Sequence, residues 1–266
     1  MTYQPVVVGP GITGWRFLQR TYDSQFAAFN KSPQVQRDTE YFLEKISSVT
    51  SARELVNDRR LLGVALGAFG LQDDIKNRYF IQRILEDGTQ NDDALANRLS
   101  DERYKRLSKA FGFGPGEFRM TVLKSSMADI AERNLVESFE VAVGEQDDSM
   151  RIALYAGREL ADLAKSDSSN RAKWFTMMGL PPLRKMFETA FGLPSGFGKE
   201  DIDKQAGVFR DRARSALGTD DFAQFEDPKV VEKLTNLYLA RWQIALFGGS
   251  TSSSANALTL LSTSQR

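Results

Sequence analysis

Along most of the chain, apolar residues recur at steps of three and four, the spacing of one face of an α-helix. Trp15, Phe17, Leu18, Tyr22, Phe26 and Phe29 open the series. Ser32-Pro33 then places proline at a first helical position, ahead of Tyr41, Phe42, Leu43 and Ile46. Ser51-Ala52-Arg53-Glu54 fits a capping box, in which the serine oxygen accepts from the third helical amide and the glutamate reaches back. The helix it opens carries Leu55, Val56, Leu61, Leu62, Ala65 and Leu66 and stops at Gly70. The same period predicts helices at 74–86, 92–110, 120–143, 148–165, 169–178, 181–191, 200–216 and 228–246. No pair of alternating runs flanks an Asn-Gly or Asp-Gly turn, so the predicted fold is all-α.

Glycines and aspartates punctuate the pattern. Ala68-Phe69-Gly70-Leu71 returns as Ala190-Phe191-Gly192-Leu193, with Ala110-Phe111-Gly112-Phe113 a near copy, and each closes an apolar run. Glycine is the residue that best takes the left-handed conformation past a helix end. The two AFGL copies predict two helical lobes related by a distant internal duplication: lobe 1 at 15–116 and lobe 2 at 117–247, divided at Gly114-Pro115-Gly116. Residues 1–14 read as a flexible N-terminal segment. Residues 248–266 read as a Ser/Gly-rich flexible tail bearing a short apolar island around Leu258, Leu260 and Leu261. Asp73-Asp74, Asp92-Asp93, Asp147-Asp148 and Asp220-Asp221 each precede an apolar run, which is the position of an N-cap.

One stretch suggests chemistry. Val6 to Gly14, VVVGPGITG, carries Gly9-x-Gly11-x-x-Gly14 behind three β-branched residues, the spacing of a dinucleotide-binding turn. That fingerprint works only inside a βαβ unit, with an acidic residue at the end of a second parallel strand. Here Gln34 to Lys45 is rich in Gln, Arg, Asp and Glu at helical spacing, and no later run is apolar enough for a buried parallel strand. The match therefore reads as coincidence, and Gly9-Pro10-Gly11 as an entry to the first helix with Thr13 as a cap. No cofactor is expected.

Composition narrows the chemistry further. The chain has no Cys and no His, which removes thiolate nucleophiles, Ser-His-Asp and Cys-His arrangements and structural zinc. Its 35 basic and 35 acidic side chains cancel, so no global field favours nucleic acid or anionic membrane. No apolar run is long enough to span a bilayer, and the start lacks the basic and apolar regions of a secretory signal. No catalytic or metal-binding residue is assigned. Lys124, Asp129, Glu132 and Arg133 fit a solvated helix face. A carboxylate-based enzyme or divalent-cation-binding protein is the alternative, with Asp73, Asp74, Asp92 and Asp93 as its cluster. Trp174, Phe175, Met177 and Met178, ahead of Pro181-Pro182, suit either a core corner or an adaptable docking surface. With Leu258, Leu260 and Leu261 they form the candidate partner-binding set.

Finally, SSVTSARELVNDRRLLGVALGAFGLQDDIKNRYFIQRILEDG, continuing through LANRLSDERYKRLSKAFGFG, resembles an all-helical domain family of unknown function found in alphaproteobacteria. MGLPPLRKMFETAFGLPSGFGKEDIDKQ and YLARWQIALF are similar to that family's second half. Its members are often encoded beside flagellar basal-body genes. The resemblance implies a non-enzymatic accessory protein of flagellar assembly, a chaperone or a minor component, with basal-body or export components as protein partners. It also implies a location in the cytoplasm, or export to the flagellum without a cleaved signal.

Overall fold

The computed structural model describes the backbone of residues 3–263 and the side chains of residues 3–246. Among the described residues there is no strand, and the helical periods are realised as α1 (Gly11–Asn30), α2 (Pro33–Lys45), α3 (Ala52–Asn57), α4 (Arg59–Gly67), α5 (Arg78–Asp87), α6 (Leu95–Arg98), α7 (Glu102–Phe111), α8 (Lys124–Gly144), α9 (Asp148–Lys165), α10 (Asn170–Met178), α11 (Pro181–Phe191), α12 (Ile202–Leu217) and α13 (Pro228–Thr263). Two expected helices are each two. Asp58 breaks the first by accepting from the amides of Arg60 and Leu61 at 2.9 and 3.0 Å, so it caps α4 while ending α3. Asp101 does the same for α7, accepting from the Arg103 amide at 3.0 Å. Ser51 caps α3 as expected, although Glu54 reaches back to the Thr50 amide at 2.7 Å.

The repeated tetrapeptide builds the same turn twice. Gly70 and Gly192 have φ of +67° and +64°. In both, the leucine that follows donates back five residues, Leu71 to Leu66 O and Leu193 to Glu188 O, each at 2.9 Å. This is the paired-bond stop that satisfies the last carbonyls of a helix. Gly112 ends α7 with the simpler single bond to Ser108 O at 3.0 Å.

The chain forms two compact units, but not with the expected boundary. One comprises the residues up to Val6, Gln19–Gln146 and Gly179–Pro181; the other comprises Val7–Leu18, Asp147–Met178 and the residues from Pro182 onward. The break at Gly114-Pro115-Gly116 is thus corrected to Gln146/Asp147. The reason is α8: Met127, Ile130 and Ala131 are buried in the cluster that holds Leu61, Leu62, Leu66, Leu107 and Phe111. Further along α8, Phe139 meets Tyr22, Phe26 and Phe29 edge-on at 5.3 to 5.7 Å. Nor is 114–116 a free linker. Gly114 and Gly88 press backbone to backbone, and Glu117 accepts from the amide and hydroxyl of Thr89 at 2.6 and 2.7 Å.

The second unit is centred on aromatic rings. Phe187 of α11 packs against Trp174, Phe191, Phe209 and Phe225 at 5.5 to 6.3 Å, all T-shaped, and all five are buried. Offset and edge-on geometries like these add about 0.5–1.5 kcal/mol per pair beyond area burial.

The glycine triplet also belongs to this unit, and its spacing has a packing cause. Gly9 and Gly11 have φ of +80° and +60°, and a Cβ on Gly14 would lie 2.0 Å from the Gly9 carbonyl oxygen. The turn folds back onto α1, and only glycine at 14 lets it lie there. Val6 and Val8 are half exposed, at 48% and 52%. The segment before them is held as well, since Gln25 pairs with the amide and carbonyl of Val6 at 2.5 and 3.1 Å.

Candidate interaction surface

Three of the four α10 candidates are core residues. Trp174, Met177 and Met178 are buried, so they offer nothing to a partner. Trp174 also spends its indole N–H on the Asp220 carbonyl at 2.9 Å. Phe175 is half-buried, with the Arg171 guanidinium 5.5 Å from its ring. Together with Asp203, Gly207 and Arg210 these two line a groove of about 410 Å³ between α10 and α12. Its charges are already matched. Arg171 meets Asp203 at 2.8 Å, while Asp220 takes Arg210 at 2.7 Å and Arg214 at 3.1 Å. Hydrogen bonds from Arg210 hold the Asp220 carboxyl below its ordinary value, against some opposition from burial.

The acidic doublets do not converge on a site. Asp147 caps α9 and Asp221 caps the 3-10 turn at Phe222–Glu226, as the capping reading expects. Asp74 is not a cap; it accepts from Tyr104 OH at 2.6 Å and from Asn77 at 2.7 Å. Burial first, then that carboxylate, push the Tyr104 phenol well above its usual range. Asp92 and Asp93 lie exposed in a turn where Asn91 accepts from the Asp93 amide. Among the described residues no group of three or more acidic side chains could hold a metal ion.

Helix-face charges behave as expected on α8, where Lys124, Asp129 and Glu132 are exposed and Arg133 lies 5.7 Å from the Phe69 ring. The sequence reading missed the buried carboxylates Glu137, Glu140 and Glu159, each under 5% exposed. Glu137 reaches toward Gly70, whose carbonyl also accepts from Arg103. The available signal was their neighbours: Val136, Phe139 and Val141 place the first two within an apolar run.

The end of α13 is different. Leu234, Tyr238 and Leu239 are buried against the second unit, with Lys185 4.8 Å from the Trp242 ring. Five and seven residues after Leu239, Ile244 and Leu246 stand exposed at 69% and 57%. The helical backbone runs on to Thr263, through the Gly-Ser stretch for which composition predicts a linker. Helix growth from a formed segment needs no new nucleus, which makes this extension possible despite low propensity. The side chains of Leu258, Leu260 and Leu261 lie outside the described residues.

These features define an all-helical protein whose polar side chains are largely engaged in holding helix ends and pairs of helices. The family described as "Protein of unknown function (DUF1217)" matches residues 68–231, more than half of the chain, and the chain belongs to that family. It is also similar to the crystal structure of protein AGR_C_984 from Agrobacterium tumefaciens, an alphaproteobacterium. The identity is 27% and the TM-score 0.72, over 91% of this chain and 97% of that one. No curated protein matches the chain.

Proposed function

We propose that the protein is a non-enzymatic interaction protein associated with the flagellum, acting in assembly as an accessory factor, chaperone or minor component. The observation that carries the interaction reading is the end of α13. Ile244 and Leu246 stand exposed past Leu239, the last buried residue of the helix among the described side chains, and the helical backbone continues to Thr263. Helices that recognise a partner do so by laying exposed apolar side chains against it. The flagellar assignment rests on the resemblance of the quoted phrases to an alphaproteobacterial family encoded beside basal-body genes. The carboxylate-enzyme alternative has no comparable support: Asp74 is engaged by Tyr104 and Asn77, and Asp92 and Asp93 lie exposed in a turn.

The test is capture by the tagged full chain from flagellated cells, followed by binding of each candidate to the purified chain. The reading expects a rod, basal-body or export component that binds directly and is lost with Ile244→Glu/Leu246→Glu. Recovery of no flagellar component overturns it.

A further inference from the structure

We infer that residues 3–6 are an exchangeable latch: the slot that holds them, built by Gln25, Ser32 and Gln146, takes the same segment of a second copy of this chain. The segment and its three slot residues all belong to the first unit. Gln25 lies on α1 and Ser32 just after it, and both are buried, at 5% and 4% exposure. The Tyr3 amide donates to Ser32 Oγ at 3.0 Å, and the Val6 amide to Gln25 Oε1 at 2.5 Å. Gln25 Nε2 donates back to the Val6 carbonyl at 3.1 Å, and Gln146 Nε2 donates to the Pro5 carbonyl. A carboxamide presents a donor beside an acceptor, so Gln25 pairs with both polar groups of Val6 as a neighbouring strand would.

Little apolar surface reinforces these bonds. Pro5 is buried, but Tyr3 and Val7 are half-buried and Gln4, Val6 and Val8 are exposed. Water replaces neutral hydrogen bonds on release, so their net worth is small, and a segment held this way opens well below global unfolding. The slot reads main chain and one proline ring. The occupant whose fit the structure displays is Tyr3-Gln4-Pro5-Val6 itself, and a second copy carries that sequence. Exchange of identical elements between copies remakes the same contacts at low cost. What keeps the segment at home is its tether. The chain reverses at Gly9-Pro10-Gly11, with φ of +80° and +60° at the two glycines. A short turn that demands such angles raises the local concentration of the segment, and weakening it favours exchange.

A competitor half-displaces a closed latch when its concentration equals the latch's effective concentration, on the order of millimolar for a short tether. Gly9→Ala lowers that concentration without touching the slot. Its Cβ would meet only Thr13 Cγ2, at 4.0 Å, while the left-handed φ disfavours the closed turn by about tenfold. The experiment titrates the full chain into a fluorescent peptide of residues 3–8, acetylated so that the Tyr3 amide is kept, and follows anisotropy. Sedimentation velocity covers the same concentrations. Half-binding is expected near about 1 mM for the parent and about 0.1 mM for Gly9→Ala, which should also pair at about 0.1 mM where the parent stays a single chain. Methylating the Val6 amide of the peptide removes the donor to Gln25 with the protein untouched, and should weaken binding by about fivefold or more. The inference is overturned by absence of binding to Gly9→Ala at about 1 mM, by equal binding of the methylated peptide, or by a Gly9→Ala protein that binds peptide yet never pairs. A scrambled peptide that binds as well as the native one would also overturn it, by making the slot a site for peptides in general.

Discussion

Gly14→Ala puts the glycine triplet to a quantitative test. The added Cβ would stand 2.0 Å from the Gly9 carbonyl oxygen, 3.1 Å from its carbon and 3.2 Å from Met150 Cε. Carbon contacts are optimal at about 3.5–4.0 Å, so all three are too close. Met150 can turn its terminal methyl aside, but the Gly9 oxygen is main chain and has no rotamer to change. Overpacking costs about 1–3 kcal/mol, and a main-chain obstacle belongs at the upper end. Alanine returns about 1 kcal/mol through helix propensity, which leaves a net loss of about 2 kcal/mol. For a chain of this size that lowers the melting temperature by roughly 4–8 °C. Gly207→Ala is the internal control: it also lies within a helix, but its Cβ would meet nothing within 4 Å. It should gain about 0.4–1 kcal/mol. Thermal and urea unfolding of the three proteins gives both signs. A Gly14→Ala protein as stable as its parent would refute the packing explanation and reopen the question of why these glycines are spaced so.

Phe187→Ala removes the ring on which four others converge and should destabilise the protein by about 3–5 kcal/mol in urea unfolding; a loss below 1 kcal/mol would contradict the aromatic core. Asp220→Asn should cost about 1 kcal/mol, because Arg210 and Arg214 are partly exposed. The Asp220 carboxyl is held below its ordinary value in the folded chain, so its contribution is complete above the unfolded value of about 4 and disappears as pH falls through the folded one. The difference in melting temperature between parent and Asp220→Asn should therefore shrink below pH of about 4, and a difference that persists there would contradict the ion-pair origin. With no His or Cys, melting temperature should be flat between about pH 6 and 9. It should then fall above about pH 10, where the unfolded chain loses phenolic protons that Tyr104 and Tyr238 keep when folded. A step near neutrality would mean that a buried carboxylate titrates there.

Helix stops were the most legible feature, since a Gly after Ala-Phe requires a positive φ and the same four residues built the same turn at 68–71 and 190–193. Helix interruptions were less so. The apolar period runs unbroken from Leu55 and Val56 to Leu61 and Leu62, and only the cap geometry of Asp58 reveals two helices. The unit boundary was hidden for a related reason: Asp147 looks like any other capping joint, whereas Gly114-Pro115-Gly116 looks like a linker but is clamped by Glu117. Pattern reports which face of a helix is apolar, not which neighbour covers it, so α8 could not be assigned to the first unit in advance. Burial of Trp174, Met177 and Met178 follows from the same ambiguity, because rings and thioethers serve a core and a docking surface equally well.

Removal of residues 248–266 tests most directly the claim that this chain works through its C-terminal helix rather than through a pocket. The account predicts that the shortened protein keeps its melting temperature and helical content per residue while losing capture of a flagellar component. A large fall in melting temperature would place that segment in the core, and undiminished capture would place the working surface elsewhere on the molecule.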